Sequence, residues 1–148
     1  MLITQISVFL ENKEGRLADV TGVLGKNDID VNAMCIADTT DFGILRLIVN
    51  KPKKAQDVLK EEGFTVNSTE VLAILVEDKP GGMARALEVL REAGIDIEYV
   101  YNFISKLNDK ASVILRVEDI ERALEFLTEK GVKVLSSEEV YEMKFKEE

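Results

Sequence analysis

Two short stretches of the chain carry the residue types needed to hold a small zwitterion. Asn12, Glu14, Gly15, Arg16 and Leu17 make up the first; Asp78, Pro80, Gly81, Gly82 and Met83 make up the second. In each, an apolar run meets a charged turn containing glycine, and an amphipathic helical pattern follows. Backbone N–H groups at the start of a helix have no partners within it, and together with the helix dipole they receive a carboxylate. Gly15 and Gly81-Gly82 let the main chain approach such a ligand closely, since no side chain intrudes. Asn12 can accept from an ammonium or donate to a carboxylate, and Asp78 can pair with an ammonium directly. The same residues from Asp78 to Gly82 also suit an ordinary turn, in which proline presets φ and the acidic residue bonds nearby backbone.

These stretches are copies within an internal repeat. Positions match at an offset of 66 through Val20/Ala86, Leu24/Leu90 and Ile29-Asp30-Val31/Ile95-Asp96-Ile97. The offset becomes 68 for Leu45/Val113, Leu59/Leu127 and Gly63/Gly131, which places a two-residue insertion in a loop, where length changes are absorbed. Each half reads as strand, helix, strand, strand, helix, strand. In the first, Ile3 to Leu10 alternates as a strand, and a helix from Arg16 carries Leu17, Val20 and Leu24 on one face. Strands are expected at Val31 to Ala37 and Ile44 to Val49, joined through Thr39-Thr40-Asp41. Pro52 starts a second helix that Gly63 ends, and a strand begins at Phe64.

The second half repeats this order. Leu72 to Val76 is a strand, and Met83, Ala86, Leu87 and Leu90 form a helical stripe stopped by Gly94. Ile97 to Ile104 and Ala111 to Val117 pair through Asn108-Asp109; a helix then leads to Gly131 and a last strand from Val132. No Gly or Pro interrupts Val66 to Val71, so the halves are joined without a flexible linker. A βαββαβ unit puts both helices on one face of a four-stranded antiparallel sheet. Along the strand from Ile97 neither side is fully polar, so burial of both sheet faces, and a homodimer through the sheets, is expected. Tyr99, Tyr101 and Phe103 share one side and read as core or interface before a ligand-stacking platform.

Composition narrows the function classes. The chain has 148 residues, no histidine, one cysteine and a net charge of −9. Acidity spread along the chain opposes binding to phosphate backbones or anionic lipid, so neither nucleic acid nor membrane is an expected partner. Without histidine the commonest proton shuttle and metal ligand is missing. No catalytic set, metal site or cofactor is assigned, and Cys35 reads as a core residue. The N-terminal segment has no basic region ahead of an apolar core and cleavage site, so a cytoplasmic protein is expected.

The order of elements, together with Glu77-Asp78-Lys79-Pro80-Gly81-Gly82-Met83 and then Ala93-Gly94-Ile95-Asp96-Ile97-Glu98, resembles the ACT domain, a small regulatory module that binds amino acids in many metabolic enzymes. Glu11-Asn12-Lys13-Glu14-Gly15-Arg16-Leu17 and Asn27-Asp28-Ile29-Asp30-Val31-Asn32 resemble the same two signatures. The resemblance implies an α+β chain of two ferredoxin-like βαββαβ domains, residues 1–70 and 71–148. It implies that they pack side by side into one eight-stranded antiparallel sheet with the helices on one face. An amino acid would bind where two such domains meet and allosterically modulate a partner metabolic enzyme or transporter. The family's polar loop residue falls on Asn12 and Asp78 and its glycine on Gly15 and Gly81. Its strand-start asparagine, reached from a neighbouring domain, is replaced by Asp30 and Asp96, which cannot donate to a carboxylate when ionised. Glu14 stands where the family has proline. Two alternatives follow: an interaction or dimerisation module that binds no ligand, and an acylphosphatase-like hydrolase using Arg16 and Asn12.

Overall fold

The computed structural model describes residues 2–11, 13–38, 41–103 and 110–142. Asn12, Thr39, Thr40, Ile104, Asn108 and Asp109, on which part of the sequence reading falls, lie outside the described residues. The chain divides into two units, Thr4–Thr69 and Glu70–Glu148 together with Met1–Ile3.

The first unit contains β1 (Ile3–Glu11), α1 (Arg16–Lys26), β2 (Val31–Asp38), β3 (Phe42–Val49), α2 (Pro52–Glu61) and the opening residues of β4 (Thr65–Glu77). Its strands neighbour one another in the order β2-β3-β1-β4, with β1 and β2 both antiparallel to β3. Period-two alternation turns Ile6, Val8 and Leu10 of β1 and Leu45, Leu47 and Val49 of β3 to one side, where they pack with Val20 and Leu24 of α1 and Ala55 and Leu59 of α2. Proline opens α2, where its fixed φ is already helical.

The second unit repeats the plan with the rest of β4, α3 (Gly82–Glu92), β5 (Ile97–Asn102), β6 (Lys110–Val117) and α4 (Ile120–Glu129), and adds α5 (Ser137–Tyr141). Here the order is β4-β6-β5. Its core joins Leu72, Ile74 and Val76 with Val113, Leu115 and Val117 beneath Ala86, Leu90, Ala123 and Leu127. These are the repeat-related positions of the first core, so the duplication extends from sequence to packing.

The eight-stranded sheet expected from the resemblance is not what forms: six strands are present among the described residues. Two local effects account for the difference. The strands expected from Phe64 and at Leu72 to Val76 are one continuous strand, β4, because nothing between Val66 and Val71 breaks the extended backbone. The strand expected from Val132 is reduced to a single bridge between Ile74 and Val134, flanked by hydrogen bonds from Leu75 N–H to Lys133 O (3.0 Å) and from Leu135 N–H to Ala73 O (2.7 Å).

The sheet side away from the helices is buried at several positions, as the strand pattern predicts. Ile48, Ala73 and Ile114 are fully buried and Tyr101 and Phe103 nearly so within the single chain. Tyr99 and Tyr101 have ring centroids 6.3 Å apart, a tilted pair in which Tyr101 is buried and Tyr99 half-buried.

Candidate functional site

Both turns singled out in the sequence fold alike. Arg16 N–H donates to Lys13 O (3.5 Å) and Gly82 N–H to Lys79 O (3.0 Å), closing four-residue turns over Glu14-Gly15 and Pro80-Gly81. Gly15 sits at φ 84°, ψ −4° and Gly81 at φ 86°, ψ −8°, the third-position geometry of a type II turn and one that a side chain disfavours. Pro80 occupies the second position, which its ring presets; Glu14 takes the same place without that constraint. The glycine after Gly81 has a different cause. A Cβ on Gly82 would collide with the carbonyl oxygen of Glu77 and lie 2.9 Å from its carbonyl carbon, whereas one on Gly81 would meet nothing within 4 Å.

A lysine closes each turn from outside. Lys13 Nζ lies 2.9 Å from Glu11 Oε2 and Lys79 Nζ 2.9 Å from Glu77 Oε2. The lysine hydrogen bond and charge hold each carboxyl below its ordinary range; at Glu77, Arg85 and Lys110 act in the same direction.

The turns deliver the chain into α1 and α3 with no side-chain cap at Gly15 or Gly81. By contrast, α4 and α5 are capped by Asp119 and Ser136. The first intrahelical bonds run from Asp19 N–H to Gly15 O (2.9 Å) and from Arg85 N–H to Gly81 O (3.1 Å). The N–H groups of Leu17, Ala18, Met83 and Ala84 therefore meet no acceptor among the described residues. Four open donors at two positive helix ends are suited to receive carboxylate oxygens.

In the first unit Gly15, Arg16 and Leu17 line one open cleft of about 410 Å³ with Ile36 and Gly43. Glu14 is exposed beside it, and Arg16 Nη1 is 3.7 Å from Asp19 Oδ2. In the second unit Asp78, Pro80 and Gly81 are exposed along the turn, Gly82 is buried and Met83 half-buried. Within their own units Asp30 and Asp96 stand at the end of the sheet opposite these turns. Glu11 pairs with Phe42 and Asp38 with Gly43 at the turn end of the first unit, while Val31 pairs with Val49 at the far end. Eight residues of β2 separate the ends, roughly 25 Å of extended chain. Asp30 is held there by Asn50, whose Oδ1 accepts from Asp30 N–H (2.9 Å) and whose N–H donates to Asp30 O (3.2 Å). Asp96 O accepts from Glu118 N–H (3.4 Å) at the matching place. A bulge follows each, at Val31/Ala33 and Ile97/Tyr99, so even this irregularity is duplicated.

The structure adds a feature that the motif reading missed. Two cavities of about 170 Å³ lie at repeat-related places. The first is lined by residues including Phe9, Glu11, Arg16, Phe42 and Phe64; the second by their counterparts Leu75, Glu77, Gly82, Lys110 and Val132. Aligning the halves at offsets of 66 and 68 pairs these residues, and could have shown where the copies diverge.

No curated protein matches the chain. Among solved structures, a protein from Bacteroides thetaiotaomicron is 44% identical with a TM-score of 0.90, covering 95% of this chain and 96% of that one. The ligand-free regulatory subunit of aspartate kinase from Thermus thermophilus superposes with a TM-score of 0.63 at 19% identity, covering 88% and 94%. The Thermus flavus regulatory subunit of aspartate kinase gives 0.60 at 17%, covering 85% and 90%; both likenesses are of fold alone. The profile of a family described as the ACT domain pair matches residues 1–144. With the repeated strand, type II turn and uncapped helix in both units, this places the chain in the ACT domain pair family.

Proposed function

We propose that the chain is a non-catalytic regulatory sensor that binds a free amino acid at its strand-to-helix turns and modulates a partner metabolic enzyme or transporter. The observation that carries the reading is the duplicated, uncapped helix start behind a left-handed glycine, with the N–H groups of Leu17, Ala18, Met83 and Ala84 open. A ligand carboxylate accepts from these donors. Arg16 adds a cation beside the first cradle, and Glu14 and Asp78 supply carboxylates for the ligand ammonium. Coupling between bound state and partner is worth typically about 1–3 kcal/mol, enough to change a partner's activity several-fold.

A thermal-shift screen with the twenty amino acids tests the reading. At a concentration of about 100 Kd a ligand adds about 2.7 kcal/mol, a rise of roughly 5–10 °C for a chain of this size. Gly81→Val, strained at φ 86°, is expected to abolish the response of the second unit. No response to any amino acid would exclude it.

A docking role without a ligand has one observation in its favour: Leu17, Ile36 and Phe42 are exposed in the first unit. Co-purification of a partner whose affinity ignores added amino acids would select that role.

A further inference from the structure

The two repeat-related cavities differ sharply in charge, and this difference is not explained by the turns. We propose that the cavity of the second unit binds a compact dianion, of the phosphate or dicarboxylate class, in a hollow that meets the amino-acid cradle at Gly82. Arg85, Lys110 and Lys133 line it, and Glu77 is the one carboxylate among its lining residues. The first unit has Asp19, Phe42 and Thr65 at the places of those three cations. Duplication preserved the hollow while one copy gathered positive charge, in a chain whose net charge is −9.

The positive charge is only partly neutralised. Glu77 Oε2 is taken by Lys79 at 2.9 Å and lies 3.8 Å from Arg85 Nη1, too far for a hydrogen bond. Lys133 has Glu139 at 3.3 Å, and Lys110 makes no ion pair among the described residues. Cations gathered around one hollow repel one another, and a bound dianion turns that repulsion into attraction. The positive end of α3, which begins at Gly82 in the cavity wall, adds to the field. About 170 Å³ is the space of roughly five or six waters, enough to seat a small dianion. Asp78, Pro80, Gly81 and Met83 are not among the lining residues, so the hollow shares Gly82 with the turn and otherwise extends away from it toward Lys110 and Lys133.

The test is calorimetric and NMR titration of the full chain with inorganic phosphate and, separately, succinate, at constant chloride. Saturable binding is expected, with amide shifts concentrated at Lys110, Gly131 and Lys133. The double variant Lys110→Phe, Lys133→Thr carries the residues of the first repeat at the same places; together the changes are expected to weaken binding about tenfold or more. Lys133→Thr alone, which leaves the apolar surface unchanged, is expected to give a smaller loss in the same direction. Preference for phosphate assigns the phosphoryl class, and preference for succinate the dicarboxylate class. The proposal is overturned if neither anion saturates, if the variants bind as tightly as the parent, or if shifts are equal around the first cavity. Amino-acid binding is read separately at Met83 and Ala84, so failure of either proposal leaves the other standing.

Discussion

Replacing Gly82 with alanine probes the geometry on which the second turn depends. The new Cβ would overlap the Glu77 carbonyl oxygen and lie 2.9 and 3.4 Å from the Glu77 carbonyl carbon and Cα. Since both sides of the clash are backbone, no rotamer relieves it; the turn must open. Opening strains or breaks the bonds from Gly82 N–H to Lys79 O (3.0 Å) and from Lys79 N–H to Glu77 O (2.9 Å), each worth about 1 kcal/mol net. Residual overpacking adds about 1–3 kcal/mol, and the gain from removing glycine offsets about 0.4–1 kcal/mol. The expected loss is about 2–4.5 kcal/mol, a drop of roughly 4–18 °C in Tm. Gly22→Ala in α1, where a Cβ meets nothing within 4 Å, is the matched control and should gain about 0.5–1 kcal/mol. The chain has no tryptophan, so urea and thermal unfolding are followed by far-UV circular dichroism. A Gly82→Ala protein as stable as the parent would refute the proposed packing of the turn.

Glu14→Pro should stabilise the chain by about 0.4–1 kcal/mol, because Glu14 and Pro80 hold the same position in matching turns; a lower Tm would show that the turns differ. Ser136→Ala removes the capping box of α5, in which Ser136 Oγ accepts from Glu139 N–H and Glu139 Oε1 from Ser136 N–H, both at 3.2 Å; a loss of about 1 kcal/mol is expected, and an unchanged Tm would count against it. The Ser136 backbone bond, with Lys133 alongside, holds the Glu139 carboxyl below its ordinary 4.5. Its contribution is therefore complete above about pH 4.5 and is lost as pH falls through the depressed folded value. Glu139→Gln should flatten the acid limb of the Tm profile in that window; a limb of unchanged slope would contradict this. Leu90→Ala, in the core of the second unit, should cost about 2–5 kcal/mol, and a loss under 1 kcal/mol would show that Leu90 is not core.

Much of the fold was legible because its determinants are local. Helix starts at Arg16 and Pro52 follow from turn chemistry, and the core positions follow from period-two and helical spacing on both copies. What failed was strand counting. Continuity through Val66 to Val71 shows as the lack of a breaker, but whether two strands fuse depends on the partners along their length. The shortening near Val134 depends on the hydrogen-bond ladder with Ala73 and Leu75, which sequence does not display. The helix at Ser137–Tyr141 was overlooked even though Ser136 and Glu139 have capping-box spacing. At the candidate site, the left-handed glycines and uncapped helices were readable from Gly15 and Gly81. That Asp30 and Asp96 stand at the opposite end of their own units from those turns is a consequence of antiparallel register. The charged cavity was hidden because Arg85, Lys110 and Lys133 come from three separate elements and form no motif.

The most direct measurement is the chemical shift of the Leu17, Ala18, Met83 and Ala84 amides in the full chain, followed while the amino acid that most raises Tm is titrated to saturation. Amino-acid binding at the turns predicts downfield movement of these donors as they bond the ligand carboxylate, with the Met83 and Ala84 shifts lost in Gly81→Val. An amino acid that binds while all four amides stay in place would contradict it.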